Sequence, residues 1–135
     1  MASLLKVDSL TGVTTAGSIS VTGEGNSTTT NLQQGLAKAW VRFDGSVSTL
    51  SVEGSFNHSS VTDNGTGSYS PQITNSMSSE NYAPSYTSAQ YHELMGNEGG
   101  TTGTIAGSYR ISVRNSSNSD ADTGRVASSV FGDLA

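Results

Sequence analysis

Cysteine is absent from this 135-residue chain, which excludes a disulfide framework, a thiolate metal site and a cysteine nucleophile. Proline occurs twice, and charged residues make up only 13%. Intrinsic disorder favours charge and proline, and mucin-like stalks pair Ser and Thr with proline, so neither class fits. Basic residues are scarce too. Six Lys and Arg against eleven Asp and Glu give a net charge of −5, whereas a nucleic-acid binder needs a basic footprint. No apolar run approaches the length of a membrane-spanning helix, so no membrane insertion is expected. The opening residues lack a charged segment followed by an apolar core, and no signal peptide is expected.

What fills the chain is Ser, Thr, Asn and 16 Gly, interrupted by short alternations of aliphatic and aromatic residues. That texture is expected of one β-rich domain with many turns and small solvent-facing side chains. Residues 1–37 carry Leu4, Leu5, Val7, Leu10, Val13, Ile19, Val21, Leu32 and Leu36 among Gly, Ser and Thr, with no aromatic residue. This is too little apolar surface for a core of its own. The segment is expected to be an N-terminal attachment and interchain piece, with a short strand near 18–21 and about one helical turn within 28–37.

From Lys38 the pattern changes. Ala39, Val41 and Phe43 alternate with Trp40, Arg42 and Asp44, and Asp44-Gly45 closes the run as a turn. Leu50 and Val52 alternate next, followed by Phe56, and Asp63-Asn64-Gly65 signals another turn. Tyr69 and Ile73 mark a further extended piece, and Pro84 between Tyr82 and Tyr86 predicts an edge strand or a strand end. Residues 90–103 read as a hairpin loop or exposed excursion. Tyr109, Ile111 and Val113 alternate with Arg110, Ser112 and Arg114. Residues 115–124 form a turn-rich connector before an extended run at 126–131. Short strands at this spacing predict an all-β fold: residues 38–135 as an antiparallel, Greek-key-like β-sandwich head.

Motifs with chemistry are few. His92-Glu-Leu-Met-Gly begins like a zinc-protease helix, but Gly96 stands where the second histidine belongs. Asp120, Asp122 and Gly124 resemble part of a calcium loop without its closing glutamate, and a turn stabilised by Asp, Asn and Ser accounts for them better. No Gly-x-Ser-x-Gly elbow or phosphate loop occurs, and His58 and His92 are expected at the surface. Glu53, Glu80, Glu93 and Glu98 supply no defined carboxylate pair. The expectation is a non-enzyme with no catalytic residue, metal or cofactor. Trp40, Phe43 and Phe56 are expected in the core, because a small sandwich needs its largest side chains inside.

Three stretches carry a resemblance: Gly-Leu-Ala-Lys-Ala-Trp-Val-Arg-Phe-Asp-Gly at 35–45, Gly-Ser-Phe-Asn-His-Ser-Ser-Val-Thr-Asp-Asn-Gly-Thr-Gly-Ser-Tyr at 54–69, and Ser-Ser-Val-Phe-Gly-Asp-Leu-Ala at 128–135. With the opening Leu-Lys-Val-Asp-Ser-Leu-Thr-Gly at 5–12, they resemble small tail-fibre and virion structural proteins of tailed, notably marine, bacteriophages. The resemblance covers nearly the whole chain and departs at Ser70-Pro71-Gln72 and across 88–103. It implies a homotrimer on the virion surface, assembled in the host cytoplasm, held to other virion proteins through residues 1–37. It also implies a role as short fibre or spike touching a host glycan or protein. Tyr91, His92, Glu93, Asn97 and Thr101 are the candidate receptor-contact loop. The alternatives are a capsid decoration protein that stabilises the shell and a glycan-depolymerase spike.

Overall fold

The computed structural model describes residues 4–12, 19–22, 29–88, 93–96 and 103–135. The chain divides into two compact units, Met1–Leu36 and Ala37–Ala135.

In the first unit β1 (Ser20–Thr22) pairs antiparallel with β2 (Thr29–Asn31), and the single-turn α1 (Leu32–Gly35) follows directly. The Leu32 amide donates to the Ile19 carbonyl at 2.8 Å. Asn31 caps the turn, its Oδ1 accepting the Gln34 amide at 3.2 Å. Three-residue strands offer no face wide enough to bury anything, and Leu4, Leu5, Val7, Leu10, Val21 and Leu36 all stay exposed.

The second unit is an all-β, sandwich-like head of antiparallel strands. They run β3 (Ala39–Asp44), β4 (Ser51–Phe56), β5 (His58–Asp63), β6 (Ser68–Ile73), β7 (Ala83–Ser88), β8 (Glu93–Gly96), β9 (Thr104–Ile105), β10 (Ser108–Tyr109), β11 (Ile111–Arg114) and β12 (Val126–Phe131). One sheet has the order β4-β3-β12-β7, so β12 lies between two strands made long before it. The other has the order β8-β11-β6-β10-β9, with β5 also on β6. Period-two alternation selects what goes inside. Ala39, Val41 and Phe43 of β3 and Val126 and Val130 of β12 face Tyr69 and Ile73 of β6, Tyr109, Ile111 and Val113, with Met77 closing one end. Phe43 and Tyr69 meet edge to face, ring centroids 5.1 Å apart.

Both prolines sit where a missing N–H costs the ladder little. Pro84 lies in the edge strand β7, as the sequence predicts. Pro71 is buried inside β6, between the stretches of that strand that pair with β10 and with β11. Those two strands are separated at Arg110, whose own amide turns away to the Gly103 carbonyl at 2.8 Å. The departure at 70–72 is therefore accommodated without breaking the strand. The turn at 63–65 forms as expected, the Gly65 amide donating to Asp63 Oδ1 at 2.9 Å.

The aromatic expectation is corrected in part. Phe43 is in the core, but Trp40 is 42% and Phe56 54% exposed. The reason lies in the alternation itself: once Ala39, Val41 and Phe43 turn inward, Trp40 must share the outer face with Arg42.

Candidate functional site

Among the described residues of the head, the largest exposed hydrophobic side chains lie on the outer face of the β4-β3-β12-β7 sheet. Register fixes its layout. Phe56, Trp40, Ser129 and Ser85 form one row across the four strands, and Gly54, Arg42, Ala127 and Thr87 form the next. On the far side of the first row Phe131, itself 36% exposed, pairs with Ala83. Aromatics thus gather at one end of the face and small residues at the other. The step between them is a shallow open depression of about 310 Å³, walled by Trp40, Arg42, Ser85, Thr87, Ala127 and Ser129. Its surface is mostly carbon, although five of those six residues bear polar groups.

Two local devices hold the wall. The Trp40 indole lies over Gly54, where a Cβ would meet the ring at 3.4 Å. An alanine methyl there would sit in ordinary contact with the ring, and only a larger side chain would crowd it. A β-bulge between Arg42 and Phe43 then leaves Glu53 as the extra residue of β4. Glu53 Oε2 accepts from Arg42 Nε at 2.6 Å, both side chains well exposed. Such an ion pair contributes about 1 kcal/mol at most to stability. Its effect here is to orient the guanidinium and cancel its charge.

Beneath this face a polar chain crosses the sandwich. His58 Nδ1 lies 3.2 Å from both the Trp40 and Phe56 carbonyl oxygens, so that nitrogen carries the proton. His58 Nε2 is then an acceptor and takes the Tyr109 hydroxyl proton at 2.9 Å. The Ser128 hydroxyl completes the line by donating to Tyr109 Oη at 2.6 Å. His58 is consequently half-buried and fully engaged, which corrects its expected surface position. Burial lowers its pKa below the usual 6.5, against the opposing pull of the two carbonyls. Burial likewise raises the hydroxyl pKa values of Tyr82 and Tyr109, and that of Tyr86 to about 12. Among these only His58 titrates near neutrality.

The folded state therefore holds His58 neutral, while the unfolded chain takes up a proton near 6.5. Stability should be at its plateau above that value, fall as the pH drops through it, and level off below the folded-state pKa. Urea midpoints measured from about pH 8 to about pH 5 should show this decline, and His58→Gln should flatten it. A wild-type midpoint constant across that window would refute the assignment.

At the opposite end Asp122 Oδ1 accepts from the Gly67 amide at 2.7 Å and the Tyr69 hydroxyl at 2.8 Å. Asp120 pairs with Arg114 Nε at 3.1 Å. The calcium-loop fragment thus acts as a turn tie. No group of three metal-binding side chains occurs among the described residues.

Of the candidate receptor-contact loop, Tyr91, His92, Asn97 and Thr101 lie outside the described residues. Glu93 opens β8 in register with Arg114. The stretch after His92 is therefore strand, not a metal-binding helix. The sequence signal for the face bearing Trp40 is the Trp40–Arg42 spacing on β3, which the general tendency of tryptophan to be buried masks. The head is thus an antiparallel β-sandwich-like domain with an aromatic outer sheet face. No protein-family model, curated protein or solved structure matches the chain.

Proposed function

We propose that the protein is a non-enzymatic structural component of a tailed-phage virion, exposed on the particle and contacting the host surface. The reading is carried by the first unit. Leu4 and Leu5 are 78% and 77% exposed, and Val7 and Leu10 are more than half exposed. A run of aliphatic side chains without a core of its own is an assembly element, buried when it meets other chains. The resemblance of residues 5–12, 35–45, 54–69 and 128–135 to phage fibre proteins supplies the setting. In that setting residues 1–37 join the chain to its neighbours, three copies associate, and the β head projects.

Two measurements test it. The solution mass of the full chain should be three times 13.8 kDa, and should fall when Leu4, Leu5, Val7 and Leu10 are replaced together by serine. Antibodies against the purified chain should decorate phage particles whose genome encodes it. Bare particles would overturn the virion assignment, and a monomer insensitive to the serine substitutions would overturn the assembly role.

A further inference from the structure

From the outer sheet face we infer that the head binds a neutral glycan, with a sugar ring seated in the step between Trp40 and the small residues of β12 and β7. The inference deepens the host-contact reading and rests on it only for the source of the glycan.

Three features point to this ligand class. The step is a depression of about 310 Å³, at the small end of the range for small-molecule sites. One wall is the Trp40 indole, which packs against Gly54, and the remaining surface is mostly carbon. A pyranose presents C–H groups on its ring faces, which such a surface desolvates well. Polar atoms make up very little of that surface, so contact with the ring face carries the binding, and Ser85, Thr87, Ser129 and Arg42 are the lining residues whose polar groups are left for the ring's edge. Sugar hydroxyls both donate and accept, and this set can answer them in both directions. Charge decides between neutral and acidic sugars. Arg42 is matched by Glu53, so the face presents no net cation to a carboxylate or sulfate, and the carboxylate beside it would repel one.

Phe56 extends the aromatic end along the row direction and Phe131 along the strand direction. A chain of sugars therefore finds more platform than a single residue does. One open face covers only one side of its ligand, so each head should bind weakly, with Kd on the order of 1 mM. Several heads on one particle would act together through avidity.

Trp40 is the sole tryptophan of the chain, so its fluorescence reports this site alone. The full-length protein is titrated with maltohexaose, cellohexaose, laminarihexaose and mannohexaose. At least one should give a saturable change in emission, and Arg42→Ala should weaken that binding by about tenfold. Saturation-transfer NMR should show the same sugar lost on Trp40→Ala, with the variant still unfolding cooperatively at a melting temperature lowered only by the packing lost over Gly54. No saturable change with any of the four sugars overturns the proposal, as does binding that survives Trp40→Ala. Strong shielding of Trp40 from acrylamide in the free protein would overturn it too, since the face would then be covered by protein. Antibody labelling of particles is independent of all these outcomes, so a failed glycan site and a failed virion assignment remain distinguishable.

Discussion

Gly67→Ala is expected to destabilise the head by more than about 3 kcal/mol, and to leave much of it unfolded at physiological temperature. Gly67 has a φ of +68°, where a Cβ alone costs about 1–2 kcal/mol. Space makes the change far worse. A Cβ built here collides with the Val113 carbonyl oxygen and lies 2.8 Å from the Ala121 amide nitrogen. Neither atom can retreat cheaply. Val113 donates its own amide to the Gly67 carbonyl at 2.7 Å, and its carbonyl accepts the Ala121 amide at 3.0 Å. Gly67 also donates to Asp122, which ties Tyr69. Moving the backbone therefore breaks the junction of β6, β11 and the 115–124 turn together. Gly65→Ala supplies the comparison: its φ is +115°, yet nothing lies within 4 Å of the added methyl. That substitution should cost only the conformational strain, about 1–3 kcal/mol. Urea unfolding of both variants checks this, and a Gly67→Ala midpoint no lower than that of Gly65→Ala would refute the packing argument.

Tyr109→Phe should be the next most damaging, at about 2–4 kcal/mol. The ring keeps its packing against Tyr82, Tyr86 and His58, so the loss is confined to one hydroxyl. That hydroxyl bridges His58 Nε2 and Ser128 Oγ. Removing it leaves the part-buried His58 acceptor and the buried Ser128 donor without that partner, and each carries its own desolvation cost. Adding Ser128→Ala should then recover part of the loss, because an alanine there has nothing left unpaired. Additive losses in the double variant would show that Ser128 and Tyr109 are not coupled.

Much of the fold could be read in the sequence, because alternation is a local signal. The inward residues of β3 and β12, the turn at 63–65 and the edge position of Pro84 all follow from period and turn chemistry. The face bearing Trp40 was legible in principle, since Arg42 two residues away marks the same side. It was overridden by the general tendency of tryptophan to be buried. His58 was not legible at all. Its partners come from β3, β4 and β10, up to 51 residues away, and no spacing rule announces a contact that only the folded sandwich creates. The placement of Pro71 is of the same kind, because it depends on a gap between two strands on a neighbouring stretch of chain.

The position of β12 has a kinetic consequence. β3 and β7 flank it and do not touch each other in the sheet order, so until residue 131 has been synthesised this sheet has no middle. The nascent head can form hairpins such as β3–β4 and β5–β6, but the wide face on which Trp40 stands has to wait. A sheet closed by contacts this distant in sequence folds slowly. The Trp40–Phe56 pair can form early on the β3–β4 hairpin, whereas the wall of small residues from β12 and β7 that faces it is completed only when β12 joins the sheet.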